Sequence, residues 1–178
     1  VCRTCGFIDY VNPRIVAGSV AVSSDGRVLL CRRAIEPRRG YWTIPAGFME
    51  NNETTSQAAQ RETVEEAGAN IALHELFSIL NVPHVHQVHL FYRATLLDTN
   101  YQAGTESLDV QLFTEKNIPW DDIAFPTVSH TLKFFFKDLR GPIGRGIIHH
   151  DHLQTLLGLG AQQHPTTYRQ IVTHEKAA

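Results

Sequence analysis

The chain has 178 residues, of which 43% are hydrophobic and 19% charged, and its formal net charge is −2. This length and apolar content suit one domain with a sizeable core and room for a small appendage, and they exclude a fibre or a disordered protein. Because there is no apolar run of about 18 residues, no signal-like start and no basic excess, we expect a cytoplasmic protein that binds neither membranes nor duplex nucleic acid.

The N-terminal segment carries two of the three cysteines, Cys2 and Cys5, in a C-x-x-C-G pattern. An odd number of cysteines argues against a disulfide framework and fits a reducing compartment. The pattern has the form of a zinc knuckle, but tetrahedral zinc takes four ligands and no second pair follows. We interpret residues 1–14 as the remnant of a zinc-ribbon-like knuckle, with zinc expected only if a complete ribbon exists upstream. The alternative is two incidental cysteines, and Cys31 is expected to be a buried small hydrophobe.

Apolar runs with β-branched residues predict the strands of one sheet, and one later stripe predicts a helix. The run that starts at Ile15, IVAGSVAVS, turns at Ser-Asp-Gly (24–26) into RVLLCRR and predicts a hairpin. Further strands are predicted over 71–82, 87–97 and 106–113. A helix is predicted over 127–139, and we expect its apolar stripe to be core: Val128, Leu132, Phe135 and Leu139.

Two basic or histidine-rich loops allow more than one interpretation. Arg38 and Arg39, in a loop that precedes a short strand, either hold substrate phosphate or are solvated surface charges. His84, His86 and His89 alternate as a metal cluster would, but they are better interpreted as polar strand or loop positions, because Mg²⁺ and Mn²⁺ prefer carboxylates.

The segment over 47–69 reads GFMENNETTSQAAQRETVEEAGA, and its second half predicts a helix. Thr-Thr-Ser at 54–56 supplies N-cap candidates, and Gly68 stands where a helix usually ends. Three carboxylates fall within roughly 100° of arc on this helix: Glu62, Glu65 and Glu66. Because like charges on one face repel each other, the arrangement favours a bound divalent cation, with a solvated acidic face as the alternative.

The spacing around this helix resembles the signature box of the Nudix hydrolases. The matching positions are Gly47, Glu53, Arg61, Glu62, Glu65, Glu66 and Gly68, whereas Thr63 and Ala69 stand where bulky aliphatic residues are usual. The resemblance implies an α/β protein, the Nudix α/β/α sandwich with a mixed β-sheet. We assign this domain to 15–140 and leave 141–178 as a C-terminal tail of unclear role.

The resemblance also implies roles for individual residues. The expected catalytic residues are Glu53, Arg61, Glu62, Glu65 and Glu66, with Arg61 held by Glu53 to orient the helix. The expected ligands of Mg²⁺ or Mn²⁺ are Glu62, Glu65, Glu66, the backbone carbonyl of Ala46, and Glu106, whose alternative is a strand-capping acid. The expected substrate contacts are Tyr10, whose alternative is a core or surface aromatic, and Arg38, Arg39 and Glu50.

The implied reaction is hydrolysis of a nucleoside diphosphate linked to another moiety, X. The terminal cysteine pair, Tyr10 and the segment ESLDVQLF resemble the zinc-ribbon-bearing FAD, ADP-ribose and NADH pyrophosphatases. Pro83 is placed as in ADP-ribose pyrophosphatases, and the SQPWPFPxS-type motif of NADH pyrophosphatases is absent. We therefore favour FAD or ADP-ribose, with release of AMP by a homodimer. The alternatives are NADH or NAD-capped RNA, or a catalytically silent nucleotide-binding regulator.

Overall fold

The computed structural model describes residues 1–140 and 148–150, which form a mixed β-sheet with a helix on each face. The strands are β1 (Arg14–Val22), β2 (Val28–Arg33), β3 (Trp42–Thr43), β4 (Ala46–Phe48), β5 (Ile71–Val82), β6 (Gln87–Leu96), β7 (Ser107–Phe113) and β8 (Ile148–His150). The helices are α1 (Thr55–Ala67) and α2 (Pro126–Arg140). The α/β sandwich with a mixed sheet is thus confirmed.

Strand β1 lies at the centre and pairs on both sides. It runs parallel to β6 from Arg14↔Gln87 to Val22↔Thr95, and β6 in turn pairs antiparallel with β5. The predicted hairpin between β1 and β2 is closed by a single pair, Val22↔Val28. The hairpin is short because β4 takes the edge of β1 at Gly18↔Ala46, while β2 leaves to pair with β3 and β7.

Alternate residues of β1 face opposite helices, as the two-residue period of a strand requires. Ala17 packs with Ala58 and Ala59 of α1, and these three small side chains let the helix approach the sheet closely. On the other face Val20 belongs to the main core, which also contains Leu132 and Phe135 of α2. Burial of each large apolar side chain contributes about 1.5–3 kcal/mol. The sheet is therefore clamped between the two helices.

The two unusual positions of the signature box are both buried. Thr63 and Ala69 are 0% and 1% exposed. The Thr63 hydroxyl donates to the carbonyl oxygen of Ala59 at 2.7 Å and lies 2.7 Å from the Ser19 hydroxyl of β1, which therefore donates to it. A buried hydrogen-bonded pair thus joins α1 to β1 where an aliphatic contact is usual.

The predicted element boundaries agree with the structure to within one residue for β5, β6, β7 and α2. Cys31 is buried as expected. The expectation for Leu139 was wrong, because it is 56% exposed while the rest of its stripe is buried. Leu139 lies in the last turn of α2 and belongs to none of the hydrophobic clusters among the described residues. The tail assigned to 141–178 lies outside the described residues, except for the backbone of β8. None of the described helices is long and apolar enough to span a membrane.

Candidate active site

Helix α1 is fixed at both ends by local hydrogen bonds. The Thr54 side chain accepts from the backbone N–H of Gln57 at 3.2 Å, and the Gln57 side chain accepts from the Thr54 N–H at 2.8 Å, which is a capping box. At the other end Gly68 adopts a left-handed conformation with φ of 58°, and its N–H donates to the Val64 carbonyl. The register of the glutamates on α1 is therefore set by the sequence around them.

The three glutamates predicted to share a face differ in their surroundings. Glu66 is 6% exposed, and its Oε2 accepts from the backbone N–H of Ala46 at 3.0 Å. The Glu62 carboxylate lies against Gly47, where a Cβ would come within 2.4 Å of it. The side chain of Glu65 is 58% exposed. Strand β4 thus donates a backbone N–H to Glu66, and the absence of a side chain at Gly47 leaves space for the Glu62 carboxylate.

Arg61 connects the glutamates to the preceding loop. Its Nε and Nη2 donate to Glu53 Oε2 and Oε1 at 3.0 and 2.8 Å, and Nη2 also donates to the Phe48 carbonyl at 3.1 Å. Its Nη1 donates to Glu62 at 2.7 Å and to Glu65 at 2.9 Å. Because the planar guanidinium makes all these bonds at once, Arg61 fixes two carboxylates of α1 relative to Glu53 and β4.

Burial changes the acidity of the inner glutamates. Desolvation raises the pKa of Glu66 to about 8, against the opposing effect of the Ala46 N–H, and it also raises the pKa of Glu62. Glu62 and Glu106 add repulsion to the Glu66 carboxylate, whereas Arg33 attracts it. In contrast, hydrogen bonds from Arg61 lower the pKa of Glu53 to about 2. Glu66 therefore stays largely protonated at neutral pH unless a cation favours its charged form.

The donor set fits a hard divalent cation. Carboxylates are the ligands that Mg²⁺ and Mn²⁺ prefer, and buried acids with raised pKa values gain most from a nearby cation. In the part of the chain that the structure describes, no three Asp, Glu, His or Cys side chains converge closely enough to enclose an ion. The reason is visible in the contacts, because Arg61 holds Glu62 and Glu65 and the Ala46 N–H holds Glu66.

A cavity of about 800 Å³ opens beside these glutamates. It runs between α1 and the N-terminal end of α2, and its size suits a nucleotide-sized ligand. One side contains most of the residues expected in the site: Ala46, Glu50, Arg61, Glu62, Glu65, Glu66 and Glu106. Of these, Glu106 is exposed, and Glu50 donates its backbone N–H to Glu53 at 2.7 Å.

The cavity lining also contains polar and aromatic residues that the sequence patterns did not single out as site residues. We call this part of the lining the α2-side wall and define it by Arg33, Gln87, His89, Phe125 and Thr127. The available signals were weak: Arg33 ends a predicted strand before a loop with glycine, and His89 alternates with Phe91 on one face of β6.

Other expected site residues lie outside the cavity lining. Tyr10 is 74% exposed in the N-terminal segment. Arg38 has a positive φ of 67°, and its guanidinium covers the Tyr41 ring at 5.3 Å, while Arg39 is exposed. The cation that reaches the cavity from this part of the chain is Arg33 rather than Arg38 or Arg39.

Cys2 and Cys5 share one exposed turn, in which the N–H of Gly6 donates to the Cys2 carbonyl at 2.9 Å. Backbone N–H groups of Cys5 and Thr4 lower the pKa of the Cys2 thiol to about 7. The turn offers two sulfur ligands, and within the described residues no further His, Cys, Asp or Glu side chain joins them to form a metal site.

Comparison with known proteins identifies the family. The NUDIX domain matches residues 12–131. The chain is 25% identical over 114 residues to an ADP-ribose pyrophosphatase of Methanocaldococcus jannaschii, which covers 62% of this chain and 67% of that protein. It is 40% identical over 74 residues to the NAD-capped RNA hydrolase NudC of Haemophilus influenzae, which covers 39% of this chain and only 27% of NudC.

A solved structure of a Nudix hydrolase from Nitrosomonas europaea is similar over most of the chain. It superposes with a TM-score of 0.76 and 46% identity, over 84% of this chain and 86% of that one. The family match, this fold and the glutamate helix agree: the chain belongs to the Nudix hydrolases, pyrophosphatases that act on nucleoside diphosphate derivatives.

Proposed function

We propose that this protein hydrolyses the diphosphate of ADP-ribose or FAD in the presence of Mg²⁺ or Mn²⁺, releasing AMP and the phosphorylated X. The observation that carries the proposal is the buried carboxylate of Glu66 and the half-buried carboxylate of Glu62, beside Ala46 in a nucleotide-sized cavity. The similarity to an ADP-ribose pyrophosphatase supports the choice of substrate class.

In the reaction, the oxygen of water forms a bond to phosphorus while the anhydride P–O bond breaks. A divalent cation supplies, when bound, neutralisation of phosphoryl charge and a more acidic water. Glu62, Glu65 and Glu66, with the Ala46 carbonyl and Glu106, would hold it. Arg61 positions Glu62 and Glu65 by hydrogen bonds, and Glu53 positions Arg61. These contacts keep the glutamates beside the cavity before substrate binds.

Two alternatives remain distinct from this proposal. NADH or NAD-capped RNA as substrate is favoured by the similarity to NudC, although that match covers 74 residues. A catalytically silent nucleotide-binding regulator is disfavoured because every glutamate of the box is present and Arg61 is paired with three of them.

The proposal also covers the branch of the family, the domain bounds, the location and the oligomeric state. We propose membership in the zinc-ribbon-bearing branch with residues 1–14 as a knuckle remnant, a Nudix domain over 15–140, a cytoplasmic location and a homodimer. The C-x-x-C turn supports the first of these, and size measurement in solution tests the last.

A substrate panel tests the proposal. FAD, ADP-ribose, NADH, NAD⁺ and diadenosine polyphosphates are incubated with Mg²⁺ or Mn²⁺, and the products are resolved by chromatography. We expect AMP from FAD and ADP-ribose, with kcat/KM above that for NADH. A preference of about tenfold or more for NADH, equivalent to about 1.4 kcal/mol in transition-state stabilisation, would select the first alternative. Absence of turnover with every compound would favour the second.

A further inference from the structure

The α2-side wall contains a chain of hydrogen bonds between uncharged groups. His89 Nε2 lies 2.9 Å from Gln87 Oε1, and His89 Nδ1 lies 3.1 Å from the Thr127 hydroxyl. Because an amide oxygen can only accept, Nε2 carries the proton, and Nδ1 accepts from Thr127. Burial lowers the pKa of His89 to about 4, so the ring is neutral at neutral pH. Both nitrogens of His89 are thereby engaged.

In this chain of hydrogen bonds, the amide nitrogen of Gln87 is a donor that remains available to a ligand. The oxygen of Gln87 is occupied by His89, whereas its amide nitrogen has no hydrogen-bond partner among the described residues. A neutral N–H₂ group that lines a cavity suits an acceptor nitrogen or oxygen on an uncharged ligand group, since a phosphate would prefer a cation.

Arg33 and Phe125 form the other part of the wall. The guanidinium carbon of Arg33 lies 5.1 Å from the centroid of the Phe125 ring, and Arg33 Nε donates to the Pro37 carbonyl at 2.9 Å. Within the described residues, its two terminal nitrogens make neither a hydrogen bond nor an ion pair. Arg33 also lies within electrostatic range of Glu66. Arg33 is therefore a positioned cation with unpaired donors, and it lines the same cavity as the glutamates.

The register of the sheet separates His89 from the end of the cavity at Ala46. His89 pairs with Val16, which pairs with Phe48, while Ala46 pairs with Gly18 two residues further along β1. With strands about 4.8 Å apart and about 3.3 Å per residue, the Cα atoms of His89 and Ala46 are roughly 12 Å apart. One ligand that reaches both ends of the cavity must be elongated.

We propose that the α2-side wall binds the nucleoside monophosphate half of the substrate. Arg33 contacts a phosphoryl oxygen, and Gln87 donates to an acceptor atom of a nitrogen heterocycle that packs beside Phe125. His89 and Thr127 are positioning residues. Thr127 holds His89 by a hydrogen bond, and His89 in turn holds the Gln87 amide. The placement of the diphosphate at the glutamates rests on the proposed function.

Calorimetric measurement of the binding of three small probes tests whether Arg33 binds the phosphate and Gln87 the heterocycle. AMP, adenosine and ribose 5-phosphate contain no anhydride bond, so they bind without turnover in the presence of Mg²⁺. Arg33→Gln should weaken AMP and ribose 5-phosphate by about tenfold, because a charge-assisted hydrogen bond is lost, and should leave adenosine within about twofold. Gln87→Leu should weaken AMP and adenosine by about fivefold or more and leave ribose 5-phosphate unchanged.

Arg32→Gln is the matched control. Arg32 is the neighbour of Arg33 on β2, and its Nε also donates to one backbone carbonyl, that of Gly40, at 2.9 Å, but it does not line the cavity. The Arg32→Gln substitution should leave the affinities for all three probes within about twofold of wild type. If Gln87→Leu lowers the melting temperature, Gln87→Glu keeps the acceptor for His89 and removes the donor, and it should weaken adenosine equally.

Several results would overturn the proposal: no adenosine binding to the wild type, equal losses for all probes in either variant, or equal effects of Arg32→Gln and Arg33→Gln. These results are independent of hydrolysis. If no diphosphate is hydrolysed but the crossed pattern appears, the wall is a nucleotide site and the proposed function fails. If ADP-ribose is hydrolysed but each variant weakens all three probes equally, the proposed function stands and the proposal for the wall fails.

Discussion

Replacement of Glu66 by Gln should change how the stability of the metal-free protein depends on pH. Glu66 is 6% exposed, and burial raises its pKa from 4.5 to about 8. The unfolded chain loses this proton near pH 4.5, whereas the folded protein keeps it until about pH 8. Folding stability contributed by Glu66 is therefore fully present below about pH 4.5, falls as the pH rises to about 8, and is constant above that value.

The magnitude follows from the size of the shift. One pKa unit corresponds to 1.36 kcal/mol, so a shift from 4.5 to about 8 gives an upper limit of about 5 kcal/mol above pH 8 and about 3 kcal/mol at pH 7. The Gln side chain carries no charge, and its carbonyl oxygen can still accept from the Ala46 N–H, whose bond to Glu66 is 3.0 Å long. Glu66→Gln should thus be more stable than wild type at high pH and similar to it at low pH.

Urea unfolding of both proteins in EDTA, at intervals from about pH 5 to about pH 9, measures this difference. We expect the free energy of unfolding of Glu66→Gln minus that of wild type to rise by at least about 1 kcal/mol over this interval. Saturating Mg²⁺ should reverse the order, because a bound cation stabilises the ionised carboxylate of the wild type. Parallel pH profiles in EDTA would refute the assignment of Glu66 as a buried acid that resists ionisation.

Three further predictions concern other parts of the chain. Gly47→Ala should lower turnover by about tenfold or more, because its Cβ would come within 2.4 Å of the Glu62 carboxylate; wild-type kinetics would show that Glu62 needs no open position there. Glu106→Gln should lower kcat by about tenfold with an unchanged melting temperature, and near-wild-type turnover would remove Glu106 from the site. Elemental analysis should find no stoichiometric zinc, because the cysteine turn offers two ligands; one zinc per chain would indicate His ligands or a site shared between chains.

The glutamate helix was predictable from sequence because its signals are local. Each signal depends on residues no more than about four positions apart: the cap at Thr54, the stop at Gly68 and the spacing of the glutamates. The helix begins directly after Thr54 and ends directly before Gly68. What the sequence could not give is the difference between Glu66, which is buried, and Glu65, which is exposed. That difference depends on β4, which is placed against α1 by long-range pairing with β1.

The α2-side wall was not predictable for the same reason. Arg33, His89 and Phe125 come from β2, β6 and the segment before α2, and only the assembled sheet brings them to one cavity. The patterns offered Arg38 and Arg39 as phosphate contacts or as solvated charges because they lie in a basic loop. Arg38 instead covers the Tyr41 ring and is absent from the cavity lining. Leu139 shows the converse error, since helical periodicity identifies a stripe but not where its packing partner ends.

The most direct test of the central claim is the kcat of Glu66→Gln on ADP-ribose or FAD, measured with Mg²⁺ or Mn²⁺ beside its melting temperature. If the buried carboxylates exist to hold the cation, kcat should fall by at least about 10²-fold while the metal-free protein melts at the same temperature or higher. Retained turnover in a well-folded Glu66→Gln protein would contradict the assignment of the glutamate helix as the catalytic centre.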